Sequence, residues 1–115
     1  MELVRENNMN EYHPDSWVVV KYGMQEHDVH RLIAGWSGGY LDGDSWRMNS
    51  GITRVEDAED CWRFYGESGS CYVVHKDGYA MRMSMSGIYN RIKDHVELLD
   101  EDTDWMNFDW KVEAS

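Results

Sequence analysis

Between residues 16 and 82 the chain is laid out in short runs of β-branched and aromatic residues closed by glycine or by acidic links. Such runs suit a pleated, half-buried surface and such closures suit tight turns, so the pattern predicts an antiparallel meander. Ser16-Trp17-Val18-Val19-Val20-Lys21-Tyr22 stops at Gly23 and predicts the first strand. Val29 to Trp36, in which Leu32, Ala34 and Trp36 alternate with Arg31, Ile33 and Gly35, predicts a second strand paired with it as a hairpin. Arg47 to Val55 reads as one extended segment interrupted at Asn49-Ser50-Gly51. The acidic link Glu56-Asp57-Ala58-Glu59-Asp60 then leads into Cys61 to Tyr65.

The turn Gly66-Glu67-Ser68-Gly69-Ser70 carries a register with it. Centred on Ser68, it sets Tyr65 opposite Cys71, Phe64 opposite Tyr72, Trp62 opposite Val74 and Cys61 opposite His75. Trp62, Phe64, Tyr72 and Val74 share the core face, and Cys61, Arg63, Tyr65, Cys71, Val73 and His75 share the other. The two cysteines are then four residues apart along the ladder, roughly 13 Å, which is beyond the reach of a disulfide. Cys61 and His75 adjoin, but zinc needs three or four converging ligands and Cys71 is too distant to join them, so neither a metal nor another cofactor is expected.

Past residue 80 the period changes. Ile88, Ile92, Val96 and Leu99 fall on one stripe and predict a helix over 86–99, capped by Ser84 or Ser86. After Asp100-Glu101-Asp102-Thr103-Asp104 the period returns to two: Met106, Phe108, Trp110 and Val112 alternate with Asn107, Asp109, Lys111 and Glu113, predicting a strand over 105–113. Residues 1–15 are polar and read as an N-terminal arm. The expectation is one α+β, β-rich domain over 1–115: an antiparallel curled sheet or small open barrel of five to six strands, with one amphipathic helix near the C-terminus.

Over this pattern lies a charge imbalance of 22 Asp and Glu against 11 Lys and Arg, a formal net charge of -11. With 42% hydrophobic residues, six Trp and seven Tyr, the chain has the apolar material to fold, unlike a disordered acidic tail. Such a field opposes direct binding of nucleic acid or of anionic membrane and favours a protein with a basic surface. No apolar run approaches a bilayer span and no apolar stretch follows the N-terminal Met1, so a cytoplasmic location is expected. The candidate contact residues are Glu56, Asp57, Glu59 and Asp60 in one acidic link and Asp100, Glu101, Asp102 and Asp104 in the other.

Signs of catalysis are absent from the sequence. The glycine-rich segment 35–46 contains no lysine and is no phosphate loop. Carboxylates are so numerous that no pair stands out as acid and base, and no enzyme activity is expected. Two other classes of function have candidate residues. Trp36, Tyr40 and Trp46, set among glycines, suggest an aromatic platform for a small ligand or carbohydrate. His27 and His30, with nearby acids, are the residues a metal-dependent hydrolase would use, although their setting between a turn and a strand favours solvated loop histidines.

Gly35-Trp36-Ser37-Gly38-Gly39-Tyr40, Asp44-Ser45-Trp46-Arg47-Met48-Asn49-Ser50-Gly51-Ile52 and Tyr65-Gly66-Glu67-Ser68-Gly69-Ser70-Cys71-Tyr72 form a pattern that resembles a group of small bacteriophage-encoded proteins of unassigned function. The similarity covers roughly residues 16 to 82 and rests mainly on Gly, Ser and aromatic positions, which implies a shared fold. By analogy of class and charge, the resemblance implies a host protein as target, such as an antiviral complex of the CRISPR or restriction type. A dense carboxylate face reproduces part of the field of a phosphate backbone and is drawn to the same Lys and Arg.

Overall fold

The computed structural model describes residues 11–23, 28–39, 43–108 and 110. In chain order the elements are β1 (Glu11–Tyr12), β2 (Ser16–Gly23), β3 (Asp28–Gly39), β4 (Gly43–Met48), β5 (Ile52–Ala58), β6 (Cys61–Gly66), β7 (Cys71–His75), α1 (Met83–Ile92), a 3-10 turn at Lys93–His95, and β8 (Val96–Leu98). The strands form two four-stranded sheets, ordered β1-β7-β6-β5 and β4-β3-β2-β8. Every pairing is antiparallel except β1 with β7. The β-rich α+β reading holds, with one helix in the C-terminal half. The predicted five or six strands are eight among the described residues, and they divide into two sheets that do not close into a barrel.

The division occurs at Asn49-Ser50-Gly51. Arg47 to Val55 is not one segment: β4 ends the second sheet at Met48, and β5 begins in the first sheet at Ile52. Gly51 has φ +148, a conformation L side chains rarely adopt, so glycine suits the crossing. The crossing also explains why Trp17, Val18, Val19 and Val20 are all at most 1% exposed. Trp17 and Val19, with Leu32 and Ala34, pack on Ile52, Val55, Phe64, Tyr72 and Val74 of the first sheet. On the reverse face Val18, Val20 and Ile33 pack on Met85 of α1, flanked by Ile88, Tyr89 and Ile92. A strand buried on both faces is apolar at every position instead of at alternate ones.

The hairpin of β6 and β7 has the predicted register: Tyr65 opposes Cys71, Phe64 opposes Tyr72, Trp62 opposes Val74 and Cys61 opposes His75. Both cysteines are free thiols.

The C-terminal third departs from expectation. The helix runs over Met83–Ile92, has Arg82 and neither serine at its N-cap position, and stops before Val96. Residues 96–98 pair instead with β2, with Val96 opposite Tyr22, Glu97 opposite Lys21 and Leu98 opposite Val20. An uncovered edge of β2 would leave backbone groups unpaired beside the core, and this pairing satisfies them. Upstream on the same edge, Trp17 N donates to Gly78 O and Ala80 N to Trp17 O. Between these two stretches the Tyr79 hydroxyl takes the place of a backbone group: it accepts from Val19 N and donates to Leu99 O.

The predicted strand over 105–113 is not formed at its described positions, where Trp105, Met106 and Asn107 make a turn. Asp104 accepts from Asn107 twice, through its backbone oxygen and through its carboxylate. The reason is packing: Trp105 fits between Trp17, Phe64 and Tyr79 and stacks on Trp110, so both tryptophans are buried while Met106 is 45% exposed. Trp105 and Trp110, five residues apart, would project from opposite faces of a regular strand, yet they stack on each other. Asp109 and residues 111–113, including Val112, lie outside the described residues.

Candidate functional site: two acidic links and a cationic cleft

The first acidic link closes the β5–β6 hairpin through a turn at Glu59-Asp60. Glu59 has φ 69, the left-handed region, and its N–H donates to the Asp57 carboxylate at 3.1 Å. Two of the four predicted contact carboxylates here are engaged by cations. Glu56 accepts from Arg54 at 2.8 Å and from the Tyr65 hydroxyl at 2.9 Å, and lies 3.9 Å from Arg63. Arg63 in turn donates to Glu11 at 2.8 Å and to the Tyr65 hydroxyl at 3.0 Å. Asp57 accepts from Lys76 at 2.7 Å. The Arg54 hydrogen bond holds the Glu56 carboxyl below its ordinary value, and Lys76 does the same for Asp57. Glu59 and Asp60 are exposed, and neither pairs with a described Lys or Arg.

The second link is built differently. Asp100, Glu101, Asp102 and Asp104 are all exposed, and among the described residues none forms an ion pair with Lys or Arg. Both ends are fixed. Leu99 N donates to Val19 O at 2.9 Å and the Tyr79 hydroxyl donates to Leu99 O, while Trp105 is set in the aromatic core. Thr103 closes the loop, donating to Asp100 O through its N–H at 3.1 Å and its hydroxyl at 2.7 Å. Burial, with the nearby Asp100 and Glu101 charges adding to it and the Val19 hydrogen bond opposing it, pushes the Tyr79 hydroxyl up to about 12. Tyr79 therefore stays protonated and keeps donating to Leu99.

Of the residues of the other two readings, Trp36 and Trp46 are not brought together, and His30 is the one described histidine of its pair. Trp46 opposes Gly35 across the β3–β4 ladder and Trp36 opposes Ser45, so the two tryptophans project from opposite faces of the sheet. Trp36 packs edge-on to Tyr12 and donates its Nε1 hydrogen to His13 O, and Tyr40 lies outside the described residues. His30 is no solvated loop histidine: it stands on β3, 7% exposed, between the rings of Phe108 and Trp110. His27 lies outside the described residues. Cys61 Sγ and His75 Nδ1 approach to 3.8 Å as the register requires, while burial pushes the Cys71 thiol up against the opposing field of Arg63. Among the described residues no three His, Cys, Asp or Glu side chains converge as a metal site would need, and no helix is long and apolar enough to cross a membrane.

A concave site absent from the sequence reading lies where the chain crosses between sheets. A cleft of about 410 Å³ is lined by Tyr12, Arg31, Arg47, Met48, Asn49, Ser50, Ser68, Ser70 and Tyr72. Two arginines and no carboxylate line it. Gly66 forms part of the support: a Cβ there would come within 3.1 Å of Asn49 Nδ2 and 3.2 Å of Ser50 Oγ and would press on both side chains. The sequence signal was present in Arg47 to Gly51 and in Ser68 to Ser70, but these segments are 17 or more residues apart and only the sheet crossing joins them. No family model, curated protein or solved structure matches the chain.

Proposed function

We propose that the protein is a non-enzymatic binding protein that presents the carboxylates of residues 100–104 to a basic surface of a partner protein. The observation that carries the reading is the anchored, cation-free state of Asp100, Glu101, Asp102 and Asp104 among the described residues. Ordering a loop before association reduces the conformational entropy lost on binding. Unpaired carboxylates also retain the field that steers a basic partner into contact. The partner class that suits this charge is the nucleic-acid groove of a host protein, such as a CRISPR or restriction complex, where carboxylates take the place of phosphates. Glu59 and Asp60 extend the acidic surface. Glu56 and Asp57 contribute less, because adjacent cations already neutralise them.

The test is affinity capture from a bacterial lysate followed by binding measurements on the captured protein across a salt series. Wild-type association is expected to be fast and to weaken steeply with salt. Changing Asp100, Glu101, Asp102 and Asp104 together to Asn or Gln is expected to weaken binding by roughly tenfold or more while the fold is kept. Wild-type affinity of that variant at every salt concentration contradicts the proposal.

A further inference from the structure

The cleft at the sheet crossing shares no residue with either acidic link, and its chemistry is the reverse of theirs. Arg47 lies across the Tyr12 ring, its guanidinium carbon 4.4 Å from the ring centroid, and it pairs with no described carboxylate. Stacking of this kind holds a guanidinium in place without consuming its hydrogen-bond donors, and one of them goes to the Tyr72 side chain. Asn49 is 2% exposed. Its Oδ1 accepts from Leu32 N at 2.9 Å, which orients the amide, and its Nδ2 is buried with no acceptor. Arg31 Nε is likewise buried without an acceptor.

A buried donor left unsatisfied costs about 1–3 kcal/mol, and native structures hold few of them. The Ser50 hydroxyl is oriented by the Ser68 N–H it accepts from at 3.0 Å, and the Ser68 and Ser70 hydroxyls are 3.2 Å apart. Donor-bearing residues thus line one cleft from β4, from the Asn49-Ser50 crossing and from the β6–β7 turn. A planar carboxylate offers two oxygens in one plane. A phosphate monoester offers three, pointing in different directions, and fits donors supplied by three elements.

We infer that the cleft lined by Arg47, Asn49, Ser50, Ser68 and Ser70 binds the phosphate group of a small phosphorylated ligand. Its volume is at the lower end of the range of small-molecule sites. At a net charge of -11 the protein as a whole repels anions, so saturable anion binding requires a local site of this kind.

The experiment is a titration followed by nuclear magnetic resonance, with inorganic phosphate, ribose 5-phosphate and acetate as probes. Phosphate and ribose 5-phosphate are expected to shift the Asn49 side-chain amide, the Arg47 Nε–H and the backbone amides of Ser68 to Ser70. The shifts should saturate with dissociation constants of roughly 1 mM or tighter. Arg47→Ala is expected to weaken binding by roughly tenfold or more, and Arg54→Ala, which removes an equal charge outside the cleft lining, to leave it unchanged. Asn49→Asp keeps the Leu32 acceptor and replaces the amide donor by a negative charge, and is expected to abolish binding. Acetate binding as tight as phosphate, shifts that do not saturate, or equal weakening by Arg47→Ala and Arg54→Ala would each overturn the inference.

Discussion

Glu56 meets Arg54 at 2.8 Å and Asp57 meets Lys76 at 2.7 Å, whereas Asp100, Glu101, Asp102 and Asp104 meet no described cation. The two links look alike in sequence, yet one is a strand pair and its turn and the other is a loop. On the outer face of β5 and β6 side chains alternate every second residue and stand beside their cross-strand neighbours, so Arg54, Arg63 and Tyr65 collect around Glu56. The second link has no partner strand to supply cations. It is held by what lies at its ends, Tyr79 and Trp105, and its carboxylates point at solvent. Equal charge in sequence therefore gives unequal field at the surface.

The largest expected effect concerns the anchors. Trp105→Ala removes a ring 3% exposed and packed on Trp17, Phe64 and Tyr79, and is expected to destabilise the protein by about 3–5 kcal/mol in denaturant unfolding. Trp62→Ala, at the first link, removes a half-buried ring covered by Lys76 and should cost clearly less. Equal losses would mean that the second link is not tied to the core more tightly than the first.

Next comes charge. Neutralising Glu56, Asp57, Glu59 and Asp60 together should weaken partner binding less than neutralising the 100–104 group, and should lower the melting temperature because Arg54, Arg63 and Lys76 lose partners. The reverse ranking in binding would place the contact face on the hairpin.

A smaller effect tests the turn. Glu59 sits at φ 69, where a Cβ is strained, so Glu59→Gly is expected to stabilise the protein by about 1 kcal/mol. A loss of stability would mean that the Glu59 side chain matters more than its backbone.

The smallest effect is in pH. Glu11 and Glu56 both lie below their ordinary value of 4.5 in the folded protein, Glu11 chiefly through Arg63 and Glu56 chiefly through Arg54. The folded state therefore favours their ionised form. The resulting stability is fully present above 4.5 and is lost as pH falls through the lowered folded values. Glu56→Gln should flatten the fall of melting temperature below pH 4.5, and an unchanged acid slope would show that the Arg54 pair does not contribute.

How much of this was legible beforehand depends on the range of the interactions involved. The β6–β7 register follows from a five-residue turn and a period of two, both local, and every predicted pair is present. The start of β2 and its hairpin with β3 are equally local. The helix was legible in type but not in extent, because Val96 has the spacing of a helical stripe as well as the branching of a strand residue. The unpaired edge of β2 decided between them. Met106, Phe108 and Trp110 alternate as a strand would, and only the space between Trp17, Phe64 and Tyr79 shows that Trp105 is the residue that must be buried.

By itself the sequence determined the β-rich class, one helix, the β6–β7 register and the acidity, because turn chemistry, side-chain period and charge act over a few residues. Tertiary structure alone decided that the strands split into two sheets at Asn49-Ser50-Gly51, that one acidic link is neutralised and the other is not, and that Arg47 and Asn49 share a cleft with Ser68 and Ser70. Each of these depends on which distant segments become neighbours. That is set by the burial of apolar faces against one another, a free energy that depends on the assembled surfaces and not on any one segment.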